Sequence, residues 1–301
     1  MGKVYIEETL QTGDAITALT TGPYLIYSEI LEGARRPLAF LQVVQENFDL
    51  VGKDGYRIQF LSATQLSASS SDEASINTTG MSATDKTLSA VYVDVDEQIW
   101  VATQVSDFLK EDFPSIDAIR LNFSNMGKAL TEYLDALVYS TIAGASGTQT
   151  HSCDDFDYGE AIDALTKLKD ADWMPDPVNS PFLIVSSGIA GGLLKDTTFV
   201  STERYTTADV AKMVAGEIGK YAGMRVLETS LLKDADSAYI VFPSNAGYGP
   251  VVMVCWKRRG IKTVEEYEAT KAYTYYNSSI RANALVVQPE GICKITITNS
   301  P

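Results

Sequence analysis

The sequence predicts an α+β chain, and three observations carry that prediction. Residues 55–66 and 87–105 both read as strands, and the residues between them, 67–86, are almost entirely small and polar. After Pro114 the apolar period changes from two to about three and a half and holds to residue 143. From Asp157 onward, short uninterrupted apolar runs alternate with helical segments, the texture of a sheet covered on both faces.

Composition sets the limits. A chain of 301 residues holds one large domain or two modest ones. Apolar residues make up 45% and charged residues 21%, as in a folded globular protein. The formal net charge of −15 disfavours wrapping DNA or docking on anionic lipid, since both need dense Lys and Arg. It is compatible with a container whose inner wall does not grip its contents. Cys153, Cys255 and Cys293 are odd in number and lack metal-type spacing, which predicts reduced thiols made in a cytoplasm. No stretch approaches the ~20 apolar residues of a spanning helix. The start carries Lys3, Glu7 and Glu8 rather than a signal sequence, and Ile6 stands where myristoylation expects Ser or Thr. The expectation is a soluble, untargeted chain without a membrane partner.

In chain order, residues 1–50 read as an extended arm without a core of its own. A short helix over 23–31 ends at Gly33, and a strand-like run covers 38–44. In the ribbon that follows, Val91, Val93 and Val95 face one way while Tyr92, Asp94 and Asp96 face the other. A two-stranded ribbon of this length is marginal in water by itself. Its apolar side is therefore expected to lie on a neighbouring copy. Ile116, Ile119, Phe123, Met126, Leu130, Leu134 and Leu137 then mark one stripe of a long helix over 115–143, started by Pro114 and Ser115 and stopped by Gly144 and Gly147. A helix with Ile162, Leu165 and Leu168 precedes an apolar strand over 181–185. Ser186 or Ser187 caps a short helix through Leu194. A further helix is expected at 208–214 and strands at 224–228, 238–242 and 251–256. Alternation runs over 263–287, and 291–298 closes the chain as a strand.

Candidate chemistry is sparse. His151, Cys153, Asp154 and Asp155 crowd one segment with no zinc spacing, which reads as a connector loop. The stretch Gly216-Glu217-Ile218-Gly219-Lys220 misses the phosphate-loop pattern, and Gly188, Gly191 and Gly192 miss the dinucleotide fingerprint; both are expected to be turns. Glu265, Glu266 and Glu268 suit a solvated face. Lys257, Arg258 and Arg259 form the basic run and lack the stacking aromatics of a nucleic-acid patch, which suits a subunit contact. No nucleophile, base and oxyanion site assemble, so neither catalytic residues nor a metal or cofactor is expected.

Five segments in the right order resemble the major capsid proteins of tailed bacteriophages, whose fold is shared with encapsulin shells. They are FDLVGKDGYRIQF at 48–60, EQIWVATQVSDFLKEDF at 97–113 and the helix, tryptophan and prolines of 161–182. Next come LLKD at 193–196 with GEIGKYAGMRV at 216–226, and finally YTYYNSSIRANALVVQPEGICK at 273–294. The resemblance implies an N-terminal arm over 1–50 and an extended hairpin, the E-loop, over 51–105. A peripheral (P) domain would comprise 106–152 and 260–287, with its spine helix at 115–143. An axial (A) domain would comprise 153–259 and 288–301, with a central mixed sheet flanked by helices.

The implied role is a shell of pentamers and hexamers enclosing double-stranded DNA, held by non-specific contact. Portal and scaffolding or cement proteins are the implied partners, and the virion capsid is the implied location. Glu217 and Lys220, near an axis-facing tip at 216–223, would supply charge pairing. Arg35, Arg36, Lys257, Arg258 and Arg259 would meet acidic neighbours, and Lys86 lies near the ribbon tip. An encapsulin enclosing a cargo enzyme is the neighbouring alternative, disfavoured by the Gly- and Thr-rich stretch 11–23 where encapsulins begin with a helix. A hydrolase using His151 is the unrelated one.

Overall fold

The computed structural model describes residues 38–63, 88–107, 117–173, 180–201, 217–232, 237–243 and 250–298. The strand-like run at 38–44 is instead a 3-10 turn, Phe40–Val43, followed by β1, Gln45–Asn47. Phe40 and Val43 sit three apart, so one tight turn drives both into the core, where both are buried. Phe40 meets the rings of Tyr139 and Tyr239 at 5.1 and 6.3 Å. This end of the expected arm is therefore part of the body. The expected helices at 23–31 and 208–214 lie outside the described residues.

The ribbon is β2, Arg57–Ala63, paired antiparallel with β3, Leu88–Asp94. Its second arm is shorter than the sequence suggests. After Asp94 the ladder ends, and β4, Ile99–Ser106, joins a different sheet. Val91, Val93 and Val95 are followed in the same phase by Ile99, Val101 and Val105, so a period of two runs straight through the break. Then come α1, Asp117–Ala143; β5, Gln149–Cys153; α2, Tyr158–Asp170; β6, Phe182–Val185; and α3, Ser187–Leu193. Next are β7, Val200–Ser201; β8, Glu217–Tyr221; β9, Met224–Glu228; β10, Ser237–Val241; and β11, Val252–Trp256. The long alternating stretch divides into β12, Lys262–Glu268, β13, Tyr273–Ile280, and β14, Ala282–Val286. The chain closes on β15, Ile292–Ile297.

The core is a mixed seven-stranded sheet in the order β5-β15-β10-β6-β9-β8-β7. β6 and β10 are buried at every residue, as continuous apolar runs in a doubly covered sheet must be. α2 packs on β5 and β15 through Ala161, Ala164, Leu165 and Leu168. Ile162 faces out at 38% exposure. Asp157 caps α2 by accepting from the Glu160 N–H, and Ser186 caps α3 by accepting from that of Ile189. Gly291 is required where the chain enters β15, since a Cβ there would meet Val251 Cγ2 at 2.9 Å and the Trp173 ring at 3.1 Å. All three cysteines are free and buried. Burial pushes the Cys255 thiol up to about 11 and that of Cys293 up to about 12, so both behave as small apolar groups.

α1 runs for 27 residues, roughly 40 Å at 1.5 Å per residue. It packs against β4, β13, β14 and the 3-10 turn. Its stripe is the expected one, with Phe123, Met126, Leu130 and Leu134 buried. Asp135, on the same helix and 2% exposed, accepts from the Leu41 N–H at 2.9 Å and from that of Phe40. It thereby caps the 3-10 turn from a distance.

Burial pushes the Asp135 carboxyl up from 3.8 to about 6, against the opposing pull of those two N–H donors. The folded state thus holds this proton more tightly than the unfolded chain. The stability it contributes is lost as pH rises from about 4 through about 6. The melting temperature of Asp135→Asn is expected to gain on that of the parent across this window, since only the parent titrates. Asp135→Ala is expected to lose about 1–3 kcal/mol at neutral pH by leaving both N–H groups without an acceptor. A D135N difference that stays constant from pH 4 to 7 would contradict this assignment.

Candidate assembly surface at the ribbon root

The ribbon leaves the body where β2 and β3 cross the small sheet β1-β11-β14. Val93 and Val95 are buried there against Leu50, Met253 and Cys255, with Ile58, Phe60, Leu285 and Val287 packed around them. The apolar side of the root is therefore covered by the chain's own body, which corrects the expectation that only a neighbouring copy covers it. Cover fades outward: Val95 is 1% exposed and Val93 6%, while Val91 and Phe60 are only half-buried.

Side-chain donors from β14 and the segment after β11 hold the backbone of the root. Lys257 Nζ donates to the carbonyls of Lys53 and Gly55, the latter at 2.6 Å. Arg281 Nη2 donates to those of Val95 and Asp96 at 3.3 and 3.4 Å. Asn283 Nδ2 donates to that of Asp94 at 2.8 Å. Two peptide segments with no ladder partner thus find acceptor satisfaction. On the outer side Arg57 forks onto the directly opposite Asp94 at 2.6 and 2.7 Å and lies over the Tyr92 ring at 4.5 Å. Hydrogen bonding to Arg57 holds the Asp94 carboxyl below its usual range. Tyr56 and Tyr92 stand exposed beside this pair.

A second surface lies on the sheet β12-β13-β4. One face rests on α1, where Phe123 meets Tyr276 edge-on at 4.9 Å. On the opposite face Arg258 covers Ser279, and among the described residues the outer rows are left open. Pairing aligns Val264, Asn277 and Ala102 in one row and Lys262, Ser279 and Trp100 in the next. Trp100 is 63% exposed and Val264 46%, two large apolar side chains left to solvent on either side of β13. Glu265 and Glu266 are solvent-facing on β12, as expected, and Glu268 pairs with Lys271 at 3.0 Å.

The anticipated contact residues are largely engaged within the chain. Glu217 is buried, and its Oε2 accepts from Arg225 Nε at 2.9 Å and Nη2 at 2.5 Å. It is therefore not an outward-facing charge. Lys220 is half-buried on β8, opposite Arg225. The stretch read as a turn from Gly216 is thus strand from Glu217 on, and only Ala222 and Gly223, both at positive φ, make the turn into β9. Gly188, Gly191 and Gly192 lie in α3 rather than in a turn. Lys257 braces the ribbon, Arg258 donates to the Ser279 carbonyl at 2.5 Å, and Arg259 covers the Phe48 ring at 5.3 Å. Arg35, Arg36 and Lys86 lie outside the described residues.

His151 is not in a connector loop. It is buried on β5, the edge strand beside β15, with Nε2 2.5 Å from Glu160 Oε2. Cys153 ends the same strand, and Asp154 and Asp155 are exposed beyond it. Among the described residues no group of three His, Cys, Asp or Glu is placed to hold a metal, and no helix is long and apolar enough to cross a membrane. Arg281 and Asn283 escaped the sequence reading. Their signal was the polar interruption Ser278-Ser279 and Arg281 inside an apparently continuous strand.

Residues 102–295 match a family described as phage capsid protein. No curated protein matches the sequence. Among solved structures, the capsid of cyanophage P-SCSP1u aligns with a TM-score of 0.65 at 15% identity, covering 88% of this chain and 90% of that one. A structure from Mycobacterium phage Che8 aligns at 0.63 and 16% identity, over 86% and 91%. A virus-like particle from Pyrococcus furiosus aligns at 0.56 and 13%, over 90% and 98%. At these identities the likeness is one of fold.

Asn283→Ala removes one donor from the root and leaves the valine packing intact. Amide exchange over residues 90–95 is expected to quicken roughly fivefold, in line with about 1 kcal/mol for one hydrogen bond, while exchange in β6 and β10 stays unchanged. Equal exchange in parent and variant would show that the root does not depend on this brace.

Proposed function

This chain belongs to the phage capsid protein family, and from that premise we propose that it forms pentamers and hexamers of an icosahedral shell enclosing double-stranded DNA. Its role is structural, as a wall component of the virion. The observation that carries the finer reading is the unequal cover of its surfaces. Among the described residues the seven-stranded sheet is finished, whereas the outer ribbon and the face bearing Trp100 and Val264 are not.

In this reading residues 51–105 act as the E-loop and lie across the exposed sheet face of the next copy. Residues 106–152 and 260–287 act as the P domain, and 153–259 with 288–301 as the A domain. The β8–β9 turn at Ala222 and Gly223 faces the symmetry axis. The arm, over 1–50, is anchored at its end by the Phe40 turn. Such contacts are heterologous, one surface meeting a different one on its neighbour, and they close into rings when the rotation allows. Obligate contacts of this type bury upwards of ~2,000 Å². A charge of −15 keeps the wall from gripping DNA, so the packaged polymer is held by enclosure. Synthesis in the host cytoplasm and company with portal and scaffolding or cement proteins complete the reading.

Deleting residues 67–86 is expected to give folded subunits with near-parental melting temperature that fail to make shells. Sedimentation and negative-stain microscopy read the outcome, and normal shells from the deletion would overturn the E-loop role. Trp100→Ala is expected to cut shell yield roughly tenfold while changing subunit stability by less than about 0.5 kcal/mol, since the ring is mostly in solvent. A large stability loss with unchanged yield would contradict the contact role.

A further inference from the structure

The corner after β11 and before β14 gathers Lys257, Arg258, Arg259 and Arg281. Among the described residues none of the four is ion-paired, as is also true of isolated lysines such as Lys53, Lys195 and Lys262. In a chain with 39 acidic and 24 basic side chains, four cations gathered in one corner are a local excess of the scarcer charge. The near acids do not fill the gap. Asp94 is taken by Arg57, Asp96 meets Arg281 only through its backbone carbonyl, and Glu46, on the wall of the cavity beside Arg259, is ion-paired to none of the four among the described residues.

A second observation is independent of charge counting. The Nε atoms of Arg258 and Arg281 and the Trp256 indole nitrogen are buried and have no acceptor among the described residues. Buried donors are satisfied in the great majority of cases, so three in one corner mark an interaction that one copy does not complete. The two guanidiniums also feel one another: burial, then the charge of Arg281, pull Arg258 below its usual range. Trp256 and Arg259 line an adjoining cavity of about 510 Å³, with Leu41, Phe48 and Leu134 among its walls, which gives an incoming segment somewhere to seat an apolar side chain.

We propose that this corner is the receptor for an acidic segment of a second copy, whose carboxylates pair with Arg258 and Arg281. The inference rests on the shell reading above and specifies one of its contacts. Charge complementarity favours this occupant, because a chain with 39 acidic against 24 basic side chains has carboxylates in excess to offer. A nucleic-acid phosphate is disfavoured by the shortage of further cations and of free stacking rings nearby. Phe48 is already sandwiched between Arg259 and Trp256. Arg281 also braces the ribbon root, so the contact would lock the ribbon's exit angle at the moment of assembly.

The test compares wild type, Arg258→Met and Arg258→Lys. R258M is expected to keep the melting temperature of the unassembled subunit within a few degrees, because it removes a half-buried cation that has no counter-ion. Its shell yield is expected to fall roughly tenfold or more. In R258K shells, zero-length carbodiimide coupling followed by peptide mass spectrometry is expected to join the introduced lysine to an Asp or Glu of another copy. Normal shells from R258M, or coupling confined to one copy, would overturn the proposal. So would normal R258M shells that merely protect less DNA, which would assign the corner to phosphate. If R258M does not fold, the coupling result alone decides. Absence of shells from wild type would instead remove the capsid reading on which the proposal stands.

Discussion

Everything that projects from this molecule depends on how the ribbon root is tied down. A two-stranded ribbon cannot hold its own direction in water. Here Val93 and Val95 are sunk against Met253 and Cys255, and the carbonyls of the flanking turns are held by Lys257, Arg281 and Asn283. Apolar burial fixes the depth of the root, and the side-chain donors fix its orientation. β11 and β14, which supply most of these groups, are themselves backed by the Phe40 turn and α1. The direction of the ribbon is therefore set by the body before any second copy arrives.

This arrangement divides the chain into finished and unfinished surfaces. The mixed sheet is finished: β6 and β10 are wholly buried, and its one buried ion pair, Glu217 with Arg225, among the described residues, is satisfied inside the copy. The sheet face with Trp100 and Val264 is unfinished in the apolar sense, and the Arg258–Arg281 corner in the electrostatic sense. A capsid subunit needs both kinds. Complete subunits would not associate, and subunits lacking a completed core would not survive as monomers long enough to do so.

Much of this was legible in the sequence wherever one periodicity coincided with one element. The stripe from Phe123 to Leu134 gave α1, and the run Phe182-Leu183-Ile184-Val185 gave a doubly covered strand. Errors arose where a pattern continued across a change of partner. The valine phase ran unbroken from the ribbon into β4, and alternation over 263–287 hid two bends between three strands. The contact residues were harder still. Glu217 and Arg258 are charged in sequence, but whether a charge faces outward or inward depends on what Arg225 or Ser279 on another strand places beside it. The root was misjudged for the same reason: Val93 and Val95 announce an apolar face, and only tertiary structure shows that Met253 and Cys255 cover it.

Hydroxyl-radical footprinting of unassembled subunits and assembled particles reads both halves of this division at once. Met253 is expected to be slow to label in both states, because the body already covers it, while Trp100 and Tyr92 label readily in the free subunit and several-fold less in particles. Rapid labelling of Met253 in the free subunit, or equal labelling of Trp100 and Tyr92 in the two states, would contradict a self-braced ribbon whose outer surfaces are completed only by a neighbour.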